Sequence, residues 1–531
     1  MAAHEPMFCR AVDVIPRVSM NILLVYPLFP KSFWSFDKTV QLIGKKAFLP
    51  PLGLVTVAAM LPQEWNVRLI DCNLQEMTEE DWAWAEMILL SGMIAQKPDL
   101  LARIREAKRR GKPVAVGGPY ATAFSDDCRQ AGVDFLVLDE GEITVPLWID
   151  ALKQGAASGE FRSFGKHPDI ATSPVPRFEL LDMKAYAAMS MQFSRGCPFQ
   201  CEFCDIIVLN GRIPRAKSPA QVLAELQKLY DLGWREMIFV VDDNFIGHKQ
   251  KVKELLRALL PWMKDHLFPF SFNTEASLDL AADQELMDLM VACNFGSVFL
   301  GIETPDEGSL ELTKKYQNMR SSLLESAIKI QRSGLRIMSG FIIGFDNEAP
   351  GAGQRIVRFV EDAAIPLAFF SMLQVLPETA LWHRLQREGR LLGTADINQT
   401  TLMNFRPTRP VQEIAREYID GFWQLYEPQQ FLDRIYRCYC LLGQANYPKK
   451  KRAPKKVEWA AIKGLLTVFW RQGIQRSIRW SFWSYLWKMF RHNRGGLLSF
   501  INQCAYMEHF LEYRQLVKDE LEAQLKNLSA N

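Results

Sequence analysis

From Asn21 onward, short apolar runs alternate with longer stretches in which apolar residues return every three or four positions. NILLVY, VRLID, MILLS, PVAVGG and DFLVLDEGE read as strands, with PPLGLVTVAAMLP, DLLARIREAKRR and TVPLWIDAL as helices between them. Strands apolar throughout, rather than on alternate residues, predict a parallel sheet covered on both faces. Five of them in about 135 residues predict a doubly wound, flavodoxin-like (Rossmann-type) α/β domain over 21–155. Ligands of such sheets lie beyond the strands' carboxyl ends. There the sequence has Pro27, Ser91 and Gly92, the run Gly117, Gly118 and Pro119, and the acidic run Asp139, Glu140 and Glu142 around Gly141.

A stretch rich in small residues and prolines, 156–185, predicts a linker. A second series of strands follows: SMQFSRG, EMIFVVDDN, FSFNTEAS, SVFLGIET, IMSGFIIGF and LAFFSMLQVLP. Six strand–helix units over 186–392 predict a partial (β/α)6 barrel of the TIM type, with its chemistry at the strand carboxyl ends. From Gly393 to Asn531 the pattern is helical and irregular. Residues 1–20 show no charged-then-apolar leader and read as an N-terminal extension, with Met20 a second candidate start.

Composition adds little: 48% hydrophobic, 23% charged and net +3 describe an ordinary globular chain. No run of about 18 uncharged apolar residues occurs, so no transmembrane helix is predicted. Seven of the ten cysteines (Cys9, Cys72, Cys128, Cys293, Cys438, Cys440 and Cys504) are scattered without a paired rhythm. That excludes a secreted disulfide framework and points to a reducing, cytoplasmic setting.

The other three stand together. Cys197, Cys201 and Cys204 are spaced Cys-x3-Cys-x2-Cys just after the first strand of the second series. A closed zinc site needs four ligands. Three thiolates beside a barrel mouth suit three irons of a 4Fe–4S cluster, with the fourth iron open. A zinc knuckle completed by His248 or Asp205 is the bland alternative.

This spacing, with Phe203 between the last two cysteines, strongly resembles the radical S-adenosylmethionine (SAM) superfamily. The resemblance implies that SAM fills the open place and is cleaved to methionine and a 5′-deoxyadenosyl radical, which takes hydrogen from the substrate. It also implies an electron donor of flavodoxin or ferredoxin type. On the matching strand ends, Asp243 in VDDNF falls where that family contacts the SAM amino group. Glu303 in GIET falls at the ribose, and Gly340 and Gly344 in GFIIGF flank adenine. Asp-Asp-Asn replaces the superfamily's common Gly-Gly-Glu and resembles its cobalamin-using branch.

A flavodoxin-like domain before such a barrel resembles the cobalamin-binding class of the superfamily. The usual Asp-x-His-x-x-Gly is missing, and no histidine occurs between Asn21 and Leu152. Any bound cobalamin therefore lacks a protein imidazole on cobalt, with Gly117 and Gly118 positioned to admit its nucleotide tail. A degenerate domain with only a packing role is the alternative. A dinucleotide is disfavoured, because no G-x-G-x-x-G follows the first strand.

Within the class, PPLGL, GGP, QFSRGCPFQCEFCDI, VDDNFIG, GIETP and VLPETALW resemble members with a helical C-terminal extension, among them hopanoid methylases. The resemblance implies C-methylation of an unactivated carbon in a lipid-like or other apolar small molecule. The class also includes a tetrapyrrole cyclase and ring-contracting enzymes. Other rivals are a methylthiotransferase, whose second cluster would need Cys9, Cys72 and Cys128, and a non-catalytic cobalamin sensor.

Between Lys449 and Arg494, thirteen Lys and Arg residues face one acid, Glu458, with five tryptophans among them. A cationic amphipathic helix with interfacial aromatics suits an anionic membrane surface on the cytoplasmic side. The alternatives are a helix packed on the barrel with solvated charges, or a nucleic-acid contact, which is not expected here.

Overall fold

A computed structural model describes residues 19–393, 399–442 and 459–530. Cys9 and the stretch from Lys449 to Glu458 in the basic segment lie outside them.

All five strands expected in the first unit form: β1 (Asn21–Tyr26), β2 (Asn66–Asp71), β3 (Met87–Ser91), β4 (Val114–Gly117) and β5 (Phe135–Val137). A sixth, β6 (Gly159–Phe161), lies inside the stretch expected to be linker. It pairs with β5 although Gly159, Glu160 and Phe161 carry little strand signal of their own. Strand order is β2-β1-β3-β4-β5-β6, all parallel, which is the flavodoxin order extended by one edge strand.

The second unit contains β7 (Ala188–Met191), then the short antiparallel pair β8 (Ser194–Arg195) and β9 (Arg215–Ala216). Next come β10 (Met237–Val240), β11 (Ser271–Ala276), β12 (Phe295–Glu303), β13 (Arg336–Ile343) and β14 (Leu367–Met372). The expected first barrel strand, SMQFSRG, is thus divided. Its first half pairs with β10, while Ser194 and Arg195 turn away to pair with β9. The six long strands run in the order β14-β13-β12-β11-β10-β7, every neighbouring pair parallel, and β14 does not meet β7. This is a partial barrel with an open seam.

Residues 28–48 fill the seam. Ala187 and Ala188 donate backbone N–H bonds to the carbonyls of Ala47 and Phe48, so this stretch runs beside β7. At the other lip Trp34 stacks on Phe369 of β14, with ring centroids 5.4 Å apart. Phe33 is fully buried among Phe369, Tyr426 and Phe510. Tyr426 and Phe510 come from the C-terminal helices Val411–Leu425 and Met507–Ala530, at or just beyond their ends. The first unit, the barrel and the helical region therefore share one aromatic cluster.

The basic segment forms two helices, Trp459–Trp470 and Arg479–His492, joined by a π-helical turn at Arg471–Gln475, rather than one continuous helix. The first lies against helix Asp37–Leu42. A Cβ on Gly464 would stand 2.2 Å from the Leu42 carbonyl oxygen, so only glycine permits this approach. Among the described residues no helix is long and apolar enough to cross a membrane.

Phe33→Ala should lower stability by about 3–5 kcal/mol, the range for emptying a buried aromatic site. The loss should appear as a lower melting temperature in calorimetry. An unchanged melt would show that the seam is not held there.

Candidate active site

The cysteine loop starts where β8 leaves the barrel sheet. Gly196, at φ +93°, has the carbonyls of Asn210, Gly211 and Ile213 within about 3.1 Å of where a Cβ would sit. Glycine is thus required for the loop to fold under 210–213. Two carboxylates from the end of β10 fasten the loop. Asp242 accepts from the N–H groups of Phe193 and Ser194, both at 2.7 Å, and from the Ser194 hydroxyl. Asp243 accepts from the Gly196 N–H at 2.8 Å and from the Asn210 amide at 2.9 Å. One Asp243 oxygen is therefore spent on the loop, while the residue still lines the central cavity.

Side-chain amides reach the sulfurs themselves. Gln317 donates to Cys201 Sγ at 3.5 Å, and Asn244 approaches Cys197 Sγ at 4.0 Å. Amide donors to thiolate sulfur tune the potential and hydration of iron–sulfur clusters. Burial raises the thiol pKa of both Cys197 and Cys204, so a positive group bound there would favour the thiolates. Lys315 supplies part of that charge: it pairs with Glu303 and stands 5.7 Å from the centre of the Phe203 ring. Gln317 and Lys315 were not singled out in the sequence, because they follow β12 at no fixed distance from the cysteines. Among the described residues no three His, Cys, Asp or Glu side chains converge on a single-ion site. His248 instead caps helix Lys249–Asp265.

Glu303 was expected to face a ribose. The structure gives its carboxylate to Lys315, both side chains about 90% buried. Glu303 has φ +66° at the irregularity where β12 slips against β13, and this turns the side chain toward the lysine. Gly340 meets the Phe299 ring, 3.0 Å from a would-be Cβ. Gly344, at φ +98°, meets Met403 and donates its N–H to Glu348 at 2.9 Å. Glu348, three residues beyond the motif, carries no signal of its own in the sequence. Burial pushes its carboxyl up to about 7, against the pull of that N–H and of Arg409.

The two glycines expected to admit cobalamin line the cavity, but the close approach they permit is the protein's own. A Cβ on Gly117 would lie 2.6 Å from the Val137 carbonyl, and one on Gly118 would lie 2.3 Å from Ser91 Oγ. The acidic run is likewise engaged. Arg195 donates to Glu140 at 2.8 Å and to Glu142 at 2.8 and 2.9 Å, and Arg215 and His167 also hold Glu140. Asp139 accepts from the Ser163 N–H. Burial opposes it, yet Arg195 draws the Glu142 carboxyl below its ordinary value. These ion pairs bind the first unit to β8 and β9, on either side of the cysteine loop.

Between the units lies a cavity of about 1410 Å³. It runs from the strand ends of the first sheet (Ser91, Gly117, Asp139) into the barrel lumen. No histidine lines it, His167 included. Phe239, Phe299, Met338 and Phe369 make the lumen apolar, and Asp243 and Glu275 stand at its polar end. The carboxylate of Glu275, on β11, accepts no hydrogen bond among the described residues, although the backbone carbonyl accepts from the Phe245 N–H at 2.9 Å. Burial, then Asp243 and Asp242, push its carboxyl up to about 8.

The chain matches a B12 binding domain over residues 45–148 and the radical SAM superfamily over 191–360. It is 57% identical to an uncharacterized methyltransferase of Synechocystis sp., over 96% of this chain and 94% of that one. It is 34% identical to the hopanoid C-2 methylase of Rhodopseudomonas palustris, over 94% of each. The chain belongs to the cobalamin-binding radical SAM enzymes. Their cofactors are a 4Fe–4S cluster, SAM and cobalamin. The fold agrees: TsrM, a radical SAM methyltransferase from Kitasatospora setae solved with cobalamin and a [4Fe–4S] cluster, superposes with TM-score 0.58 at 15% identity, covering 93% of this chain and 99% of that one. OxsB with aqua-cobalamin superposes with TM-score 0.59 at 14% identity, over 96% and 84%. Residues 379–523 match a domain of unknown function.

Glu275 carries a testable sign. Its carboxyl holds its proton to about pH 8 in the fold, against an ordinary value of 4.5. The folded chain thus binds the extra proton between these values, and its stability falls as pH rises across that window. Glu275→Gln should melt with the parent near about pH 5 and above it near about pH 9, where the parent carries a buried charge. Coincident melts at both pH values would place the carboxyl in a solvated setting.

Proposed function

We propose that the protein transfers a methyl group to an unactivated carbon of an apolar, lipid-like small molecule. The observation that carries this reading is the cavity wall. Trp34 and Phe48 in the seam and Phe239, Phe299, Met338 and Phe369 in the lumen give it a broad apolar face, and Asp242, Asp243 and Glu275 stand together beside the cysteine loop.

Cys197, Cys201 and Cys204 would hold the cluster, with Gln317 and Asn244 donating to sulfur and Lys315 offsetting negative charge. Asp243 would offer its second oxygen to the amino group of SAM, and the backbone of Gly340 and Gly344, at the end of β13, would flank adenine. The strand ends at Ser91, Gly117 and Gly118 would seat the corrinoid, with no histidine in the cavity wall to ligate cobalt. Bound together, these groups supply a radical able to take hydrogen from an unactivated carbon, and a methyl group to replace it. The chain's own part is to orient the substrate along the apolar wall and to exclude water from the reacting atoms. The rival second cluster gains no support: Cys72 and Cys128 are buried in an apolar core, where burial holds both thiols up to about 12.

Incubating the reconstituted enzyme with SAM carrying a deuterated methyl group and a total lipid extract should place a CD3 group in an apolar product, read by mass spectrometry. The Cys197→Ala, Cys201→Ala, Cys204→Ala triple variant should lose both this product and 5′-deoxyadenosine. Label confined to polar tetrapyrroles, or product formed by the triple variant, would overturn the reading.

A peripheral membrane contact completes the proposal. In the turn and helices of 459–494, Trp459, Trp470, Trp480 and Trp487 are each more than half exposed. Seven Lys and Arg and no acid share that stretch. Indole rings favour the bilayer interface and cations favour anionic lipid. A chain cut at Tyr447 would also lose Phe510 from the seam cluster, so point variants are the cleaner test. The intact protein should float with vesicles containing phosphatidylglycerol, and Trp470→Ala with Trp480→Ala should reduce flotation several-fold. No flotation of the intact protein would return the helices to a purely packed role.

A further inference from the structure

The π-helical turn between the two basic helices encloses a second, smaller cavity of about 400 Å³, lined by Pro428, Arg471, Gln475, Arg476, Ser477 and Glu508. Its charges do not balance. Arg471 and Arg476 both donate to the one carboxylate of Glu508, at 2.7 and 2.8 Å, and the Gln472 amide donates to it as well at 3.0 Å. Glu508 is buried and fixes the two guanidinium forks, but it neutralises only one of them. The Nε–H of Arg476 is shut off from water and has no acceptor. Arg514 lies behind, and burial and the neighbouring Arg476 push its guanidinium down from its ordinary value against the pull of Glu427. Three guanidinium groups thus face two carboxylates, Glu508 and Glu427, and the remaining positive charge calls for an anion.

What surrounds the cavity indicates where that anion comes from. Arg471 and Gln475, one turn apart, face the cavity. One position before each of them, Trp470 and Ile474 stand 54% and 52% exposed, and Trp480 beyond Arg479 is 75% exposed. Exposed apolar side chains thus flank the pair of arginines. A free, water-soluble phosphate would gain nothing from this apolar rim.

We propose that the pocket of Arg471 and Arg476 takes the phosphate of an anionic phospholipid and docks the 459–494 hairpin in one orientation on the membrane. This rests on the membrane-surface reading above and assigns it a specific headgroup site. The forks of the two arginines offer planar, paired N–H donors of the kind that phosphate oxygens accept. Docking here also sets the orientation of helix Asp37–Leu42, on which Trp459–Trp470 packs through Gly464, and hence of the seam stretch that walls the large cavity.

The test is flotation of the full-length, reconstituted protein with vesicles of phosphatidylcholine alone and with about one-third phosphatidylglycerol. Arg471→Ala with Arg476→Ala should weaken binding to the phosphatidylglycerol vesicles about twenty-five-fold, since each interfacial cation contributes about a factor of five. Weak binding to phosphatidylcholine and iron content should not change, while the melting temperature should fall because Glu508 loses both of its cations. If the double variant fails to fold, Arg471→Gln alone, at a half-exposed position, should weaken the phosphatidylglycerol binding about threefold to fivefold. Glycerol phosphate at millimolar concentration should fail to release the bound protein. Undiminished binding by the folded variants overturns the pocket while the membrane reading stands. Release by glycerol phosphate overturns the lipid as its ligand. Absence of flotation by the intact protein overturns both.

Discussion

Six parallel strands that do not close leave two sheet edges, and the whole molecule is arranged around covering them. An uncovered edge presents a row of unpaired N–H and carbonyl groups. Here the N–H groups of Ala187 and Ala188 are satisfied by the backbone of residues 47 and 48, and the β14 side is sealed by Trp34 and Phe33 against Phe369. The covering piece belongs to the first unit, not to the barrel. The two units therefore cannot separate without opening the lumen, and the space between them is one cavity. A site in which two large cofactors and a substrate must meet out of reach of water needs that arrangement.

The charges follow the same logic at the other end of β7. Asp71 accepts from Tyr186 at 2.7 Å across the junction, and Arg195 is gripped by Glu140 and Glu142 just before the first cysteine. Buried ion pairs of this kind contribute little net stability, since desolvation offsets their attraction, but they penalise any other register severely. Their value here is positional. The cysteine loop is held from the first unit through Arg195, from β10 through Asp242 and Asp243, and from the β12 side through Gln317. Three independent elements fix a loop that has little secondary structure of its own.

How much of this was legible in the sequence depended on whether a feature was periodic or local. Continuous apolar strands such as NILLVY and MILLS, and the cysteine spacing, carry their meaning within a few residues, and both units were read from them. Residues 28–48 have neither period nor motif, because their conformation is dictated by the seam they fill, so their role was invisible. β6 forms because β5 offers an edge, not because Gly159–Phe161 prefers to be extended. The carboxylates at the strand ends were found in sequence, but not their partners. Glu303 looked free until the irregularity in β12 turned it onto Lys315, and Glu140 looked like a ligand until Arg195 came from 55 residues away. The glycines are legible only in part: Gly117 and Gly118 do line the cavity, but the close approaches that require glycine there are to Val137 and Ser91.

Glu275 marks where packing ceases to explain the lumen. Around it, Asp242 has both oxygens committed to backbone and Ser194, and Asp243 has one committed to the loop. Glu275 has none, though it sits in the same carboxylate group, where burial and its two acidic neighbours disfavour its charge. A protein stabilised only by its own contacts would replace such a group with an apolar one at no loss. A cationic or hydrogen-bonding group bound beside Glu275 would supply the partner that its carboxylate lacks. The three carboxylates thus differ in what they leave for a bound group: Asp242 nothing, Asp243 one oxygen and Glu275 both.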